Sequence, residues 1–298
     1  MSLHVVHRTE YVYESPVSSS YGQLYLLPRK AAGQNVLRSD IHIDPSPDSY
    51  NEYSDFYGNR VANFSVSSSH RSLTITTTSD VDVSGRIVLS DDQFLHPTWD
   101  ETVEFLVASD DAAALDAREF AFASPLVPLS DEVAAYAAQT FWPGRGLLEA
   151  VSELTVRIFT DVKYQPGSTS LATRPDEVLH LRKGVCQDFA HLEIACLRSM
   201  GLAARYVSGY LETLPPPGKE KLQGADASHA WLAVFVPQLG WVDVDPTNNC
   251  FVGSRHICTA WGRDYADVSP VKGVIFTDAK SNTMTVSVDV SHRPELAG

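Results

Sequence analysis

The spacing of apolar residues changes along the chain, and that change limits the folds open to it. Over residues 1–90 the repeat is two. LHVVHRTEYVY places Leu3, Val5, His7, Thr9, Tyr11 and Tyr13 on one side, the alternation of a half-buried strand. VLRSDIHI, RVANFSVS and RSLTITTTSDVDVS repeat it, and the turn-forming clusters ESPVSSSYG, DPSPDS and FYGN separate them. Tyr57-Gly58-Asn59 predicts a hairpin turn. Residues 1–90 are therefore expected to form an N-terminal β-sandwich, two sheets sharing one core.

From residue 131 the repeat lengthens towards 3.6. Ser130 is placed to cap DEVAAYAAQTF, Pro143 and Gly144 break the chain, and Leu147, Val151, Leu154 and Ile158 form one stripe. Thr173 with Asp176 gives a capping-box-like start for EVLHLRK. Residues 91–130 make a transition, with an Ala-rich helical stretch, DDAAALDAREFAFASP, punctuated by Pro125 and Pro128. Strand patterns return in ARYVSGYLET, HAWLAVFVP and GWVDVDP. The expected class is α+β, with a β domain over 1–90, a helical linker over 91–130 and a second domain over 131–298. The segment LPPPGKEKLQGADAS, Leu214 to Ser228, reads as a flexible loop that could border a cleft.

One cysteine stands at a boundary. In RKGVCQDFAHLEIACLRSMG, Gly184 lets the chain turn, and the helix that follows is apolar on more than one face and ends at Gly201. Cys186 falls in its first turn. Unpaired backbone N–H groups and the positive end of the helix dipole favour an anion there, the form in which a thiol is a nucleophile. The competing reading is a buried structural cysteine, like Cys196.

A nucleophilic thiol needs a base. His229 opens the strand SHAWLAVFVP, and Asp243 and Asp245 alternate on the next strand, GWVDVDP, so both carboxylates share a face. A short turn, Pro237 to Gly240, joins the two strands. Pairing Val236 with Trp241 puts His229 and Asp245 on opposite faces. Pairing Phe235 with Leu239 across a three-residue turn puts them directly opposite each other. A Cys–His–Asp relay therefore demands an odd turn or a bulge. His229 would take the thiol proton, with Asp245, or Asp243, accepting its other ring N–H. Asp188 is expected to point away from the thiolate, and His191 to make a structural bond. A metal site from Cys186, His191 and His229 is the rival arrangement. Closely paired zinc ligands are absent, so no metal and no cofactor is expected.

Charge narrows the partners. Net charge is −14 and the sequence pI is near 5.0, which argues against nucleic acid and anionic membrane surfaces as partners. MSLHVVHRTEYVYE has no signal-peptide core and no run reaches membrane-spanning length. A soluble cytoplasmic protein is expected, in which Cys250 and Cys258 stay unpaired.

GVCQDFAH, GLAARYVSGY and SHAWLAVFVPQLGWVDVDPTNN together resemble the bacterial transglutaminase-like proteins. HRTEYVYESPV and DFYGNRV resemble the β-rich N-terminal region that accompanies that core, and GRDYADVSPVKG also fits. The resemblance implies a papain-like core with the nucleophile helix packed on an antiparallel sheet. It aligns Cys186 with the nucleophile, His229 with the base and, through DPTN, Asp245 with the orienting carboxylate. The oxyanion-stabilising tryptophan of animal members has no counterpart, since Trp142 lies in a Pro-Gly break. Tyr164 in DVKYQPGST is a weak candidate donor beside the Cys186 N–H, with plain packing as its alternative. No calcium-loop pattern is present. The expected activity is cysteine-dependent acyl transfer at a peptide or protein amide, the thioester being resolved by water or by an amine acceptor. A non-catalytic binding module of the same fold and a zinc-dependent hydrolase are the alternatives.

Overall fold

The computed structural model describes residues 2–85, 89, 91–95, 97–213 and 226–292. Its N-terminal strands are β1 (Ser2–Leu24), β2 (Asn35–Asp44), β3 (Ser49–Ser54), β4 (Arg60–Val66) and β5 (His70–Asp82). Helices α1 (Asp91–Leu95), α2 (Trp99–Ala108), α3 (Ala112–Arg118), α4 (Asp131–Ala138) and α5 (Leu147–Asp161) follow. Next come β6 (Lys163–Tyr164), α6 (Pro175–Leu181), β7 (Lys183–Gly184) and α7 (Cys186–Ser199). The chain closes with β8 (Ala204–Leu211), β9 (Ala227–Val236), β10 (Gly240–Asp245), β11 (Cys250–Phe251), β12 (His256–Gly262), β13 (Val271–Thr277) and β14 (Asn282–His292).

Among the described residues the N-terminal region is one seven-stranded antiparallel sheet built around β1. The first half of β1 pairs with β5 and β14, its second half with β4 and β13, and the register shifts between Val12 and Val17. Ile43 of β2 and Leu73 and Ile75 of β5 pack in the same cluster as Ala62, Phe64 and Val66 of β4. The expected sandwich thus takes the form of two halves that share one long strand and one core. The expected range 131–298 needs correction at its C-terminal end. Residues 271–277 and 282–292 hydrogen-bond to β1 and belong to the N-terminal sheet.

The core proper is a five-stranded sheet, β11-β10-β9-β8-β12, with the helices packed on it. Its strands alternate. Ala230, Leu232, Val234 and Val236 of β9 face the helix-side cluster, where they meet Leu192, Ala195 and Cys196 of α7. Trp231 and Ala233 join Val207 and Cys258 in a second cluster. The α5 stripe Leu147, Val151, Leu154 and Ile158 is fully buried in the first. Each such side chain contributes about 1.5–3 kcal/mol of hydrophobic stabilisation. A third cluster, with Leu3, Val5, Val81, Tyr210, Ile257, Val288 and Val290, joins the N-terminal sheet to the core.

The helix starts follow local chemistry. Ser130 Oγ accepts from Val133 N at 3.3 Å, as expected. Helix α2 went unread in the sequence although Thr98 and Glu101 make a full capping box at its start. Thr173 does not cap α6. Arg174 is the N-cap, its N–H donates to the Glu177 carboxylate at 2.8 Å, and Pro175 takes the first helical position. Among the described residues no helix is long and apolar enough to cross a membrane. Cys186, Cys196, Cys250 and Cys258 are all free thiols.

Candidate active site

Cys186 is the first residue of α7 and is partly exposed. Gly184 has a different role from the one expected. The turn is made by Arg182, whose φ of 51° closes α6 in the left-handed region. Gly184 instead leaves room, because a Cβ there would lie 2.7 Å from Asp188 Cβ and 2.8 Å from its Oδ2. That carboxylate accepts from Val185 N at 2.7 Å and Thr169 Oγ1 at 2.6 Å, tying the entry of α7 in place. Asp188 is therefore engaged at the helix entry, and burial raises its carboxyl against the pull of those two bonds.

His229 and Asp245 reach each other through the hairpin β9–β10. Val236 pairs with Gly240 and Phe235 with Trp241, so Pro237, Gln238 and Leu239 form the three-residue turn. The odd turn keeps His229 and Asp245 on one face. The register differs from the one weighed in the sequence, since Trp241 rather than Leu239 stands opposite Phe235. His229 and Asp245 are therefore diagonal neighbours, a separation that long side chains span. His229 Nε2 donates to Asp245 Oδ2 at 2.7 Å. The Cys186 sulfur lies close enough to this imidazole to act on its charge.

The electrostatics follow from the partners. Burial alone would lower the His229 imidazole, but its bond to Asp245 and the nearby Cys186 sulfur reverse the effect and push it up to about 10. Burial would raise Asp245, which has no exposed surface. Bonds from His229 and His256 overcome this and hold its carboxyl far below the usual carboxylate range. Asp245 accepts five hydrogen bonds: His229 Nε2, His256 Nε2 and Asn248 Nδ2 on Oδ2, and the backbone N–H groups of Thr247 and Asn248 on Oδ1.

The other candidates sort clearly. Asp243 accepts from Trp231 Nε1 at 3.2 Å, not from His229. Tyr164 pairs with Gly184 across β6–β7 and is half exposed. Burial and the neighbouring Cys186 both raise its phenol. His191 Nε2 accepts from Tyr265 N at 3.2 Å, and burial lowers its imidazole to about 4. The Cys186, His191 and His229 metal set is thus replaced by another grouping, since among the described residues ligand atoms of His229, Asp245 and His256 lie within 4.8 Å of one another. His256 and Asn248 went unassigned in the sequence. His256 opens the strand HICTAW as His229 opens HAWLAVF, so the same signal marks both. Tyr206, buried on β8 with its phenol raised by burial and then by Cys186, was also missed. Of the Leu214 to Ser228 loop, residues 214–225 lie outside the described residues. Asp226 bridges to Val288, and Ala227 and Ser228 open β9.

Comparison with known proteins gives a consistent result. The model for the bacterial transglutaminase-like N-terminal region matches residues 3–82, and that for the transglutaminase-like superfamily matches residues 134–246. An uncharacterized protein of Mycobacterium tuberculosis is 45% identical over 96% of this chain and 91% of its own length. One from Mycobacterium leprae is 32% identical over 97% of this chain and 98% of its own. A protein-glutamine gamma-glutamyltransferase of Pseudomonas aeruginosa is 34% identical over 84 residues, 28% of this chain and 13% of that one. A solved structure from Cytophaga hutchinsonii, described as a candidate cysteine protease, superposes with a TM-score of 0.74 at 23% identity, covering 99% of this chain and 93% of that one.

Proposed function

The chain belongs to the transglutaminase-like superfamily, and from that premise we propose that it is a cysteine-dependent acyl-transfer enzyme acting on a peptide or protein amide. The observation that carries this reading is the grouping at the start of α7. His229 donates to Asp245 at 2.7 Å, and the Cys186 sulfur lies close enough to help raise its imidazole.

In this mechanism His229 takes the Cys186 proton, and Asp245 stabilises the resulting imidazolium. The thiolate attacks the amide carbon, and the oxyanion forms beside the Cys186 backbone N–H, with the Tyr164 phenol as a second donor. His229 returns the proton to the leaving nitrogen, the C–N bond breaks, and ammonia or an amine departs from the thioester. Water then gives hydrolysis, or an amine gives amide transfer, and either nucleophile passes its proton to His229 as the thiol leaves. The four free thiols suit the reducing cytoplasm.

The test compares a peptide and amine library on wild type and Cys186→Ala by mass spectrometry. Product masses separate hydrolysis from transfer, and identical product patterns in both proteins sink the reading. Iodoacetamide adds a second arm. Selective alkylation of Cys186 that disappears in His229→Ala supports the enzyme, whereas labelling no faster than Cys196 favours a non-catalytic binding module. A zinc-dependent hydrolase is a specific second reading, because two imidazoles and a carboxylate are an acceptable donor set for zinc. Stoichiometric zinc and chelator-sensitive turnover would select it.

A further inference from the structure

His229 has a companion histidine. His256 lies on β12, separated from β9 by β8, and pairs with Leu211. Gly209 of β8 pairs with His229 on one side and Cys258 on the other. It can be nothing larger, because a Cβ there would lie 2.5 Å from Trp231 Cη2 and 2.0 Å from the Ile257 carbonyl oxygen. Trp231 occupies that space and touches both imidazoles. Its ring centroid is 5.3 Å from His256, edge-on, and 6.1 Å from His229. Trp231 is itself held by its bond to Asp243. His256 is 2% exposed and directs Nε2 at Asp245 Oδ2, 3.0 Å away, the same oxygen that His229 uses.

An ionised carboxylate only accepts, so the His256 nitrogen facing it carries a proton. With His229 Nε2 and Asn248 Nδ2 it is one of three donors that fix where that oxygen sits. The backbone bonds to Oδ1 do not do this alone, since they act on the other oxygen. We propose that His256 is a positioning residue of this site: its Nε2–H fixes Asp245 Oδ2 in the place from which it aims the His229 imidazole at the Cys186 sulfur. This rests on the acyl-transfer reading above. The ionisable groups around the pair are Cys186 on α7, Asp245 on β10, Cys250 opposite Asp245 on β11, and Glu193, which acts on Asp245 from α7.

The test separates the ring from its donor. His256→Phe keeps an aromatic ring against Trp231 and loses the N–H; His256→Gln loses the ring and keeps a donor. The readout is the rate of Cys186 alkylation by iodoacetamide across pH. In the Phe variant a poorly aimed imidazole forms a weaker pair with the thiolate. The acid limb should then move to higher pH by about one unit, a tenfold change in the equilibrium, while Gln stays near the wild-type profile. A wild-type profile for Phe with a displaced one for Gln means packing alone, and overturns the proposal. Equal displacement of both also overturns it. Should either variant fail to fold, ¹⁵N NMR of the histidine rings in wild type decides: His256 protonated at Nε2 supports the assignment, and protonation at Nδ1 with a bare Nε2 overturns it. Alkylation unaffected by His229→Ala would instead sink the acyl-transfer reading itself.

Discussion

Two polar clusters lie buried in the core, one around Asp245 and one around Glu193 on α7, and burial opposes charge in both but prevails only at Glu193. Asp245 accepts from five donors and stays ionised, and its partner His229 is held up to about 10. Glu193 is fully buried, receives a single bond from Thr155 Oγ1 at 2.8 Å, and is pushed up to about 8. Its Oε2 has no hydrogen-bond partner among the described residues. His191, on the same helix, is driven down to about 4. Burial by itself removes charge, and only a saturated set of partners keeps it. The proposed chemistry sits where the partners are.

The strongest way to break this comparison is to remove the relay. Cys186→Ala or His229→Ala should lower turnover by about 10⁶-fold, and Asp245→Asn by about 10⁴-fold, measured as kcat on whichever amide the library yields. A loss of only a few fold at Asp245 would mean that the partnered cluster is no better placed for chemistry than the neutral one.

Stability against pH sharpens the contrast. His229 has a raised pKa in the folded state, so its contribution is fully present below 6.5 and is lost as pH rises through about 10. His191 runs the other way, full above 6.5 and fading as pH falls towards 4. Glu193 is raised from 4.5 to about 8, so the unfolded chain releases its proton first. Its own share of the stability should fall across that window by about 1.4 kcal/mol per pH unit, offset by His191 below 6.5 and joined by His229 above it. Glu193→Gln should remove this slope in urea titrations at several pH values and leave turnover within about twofold. A slope that the substitution leaves unchanged would place the ionisation elsewhere. The smallest effect belongs to Tyr164→Phe, which should lower kcat by about tenfold or less if the phenol assists the oxyanion and leave it unchanged if the ring only packs.

How much of this was legible depends on the range of the interaction. The alternation in LHVVHRTEYVY and the stripe from Leu147 to Ile158 are local, and both elements formed where the sequence placed them. Cys186 at a helix start and His229 at a strand start are local signals too. Register is not. The sequence required an odd turn between β9 and β10 without saying which pair closed it. Asp188 under Gly184, and His256 reaching Asp245 from β12, depend on contacts between separate segments. The pairing of β14 with β1 was equally invisible. Met284, Val286, Val288 and Val290 alternate as a strand should, but a period of two does not name a partner.

That last pairing bears on how the molecule is made. Strand β1 leaves the ribosome long before β13 and β14 do, and they complete its flanks. During synthesis it therefore carries open backbone donors and acceptors along an apolar face, the kind of edge that recruits stray chains. Assembly of the N-terminal half must wait for the far end of the polypeptide, so a chain stalled before β13 would present a sticky, unfinished template.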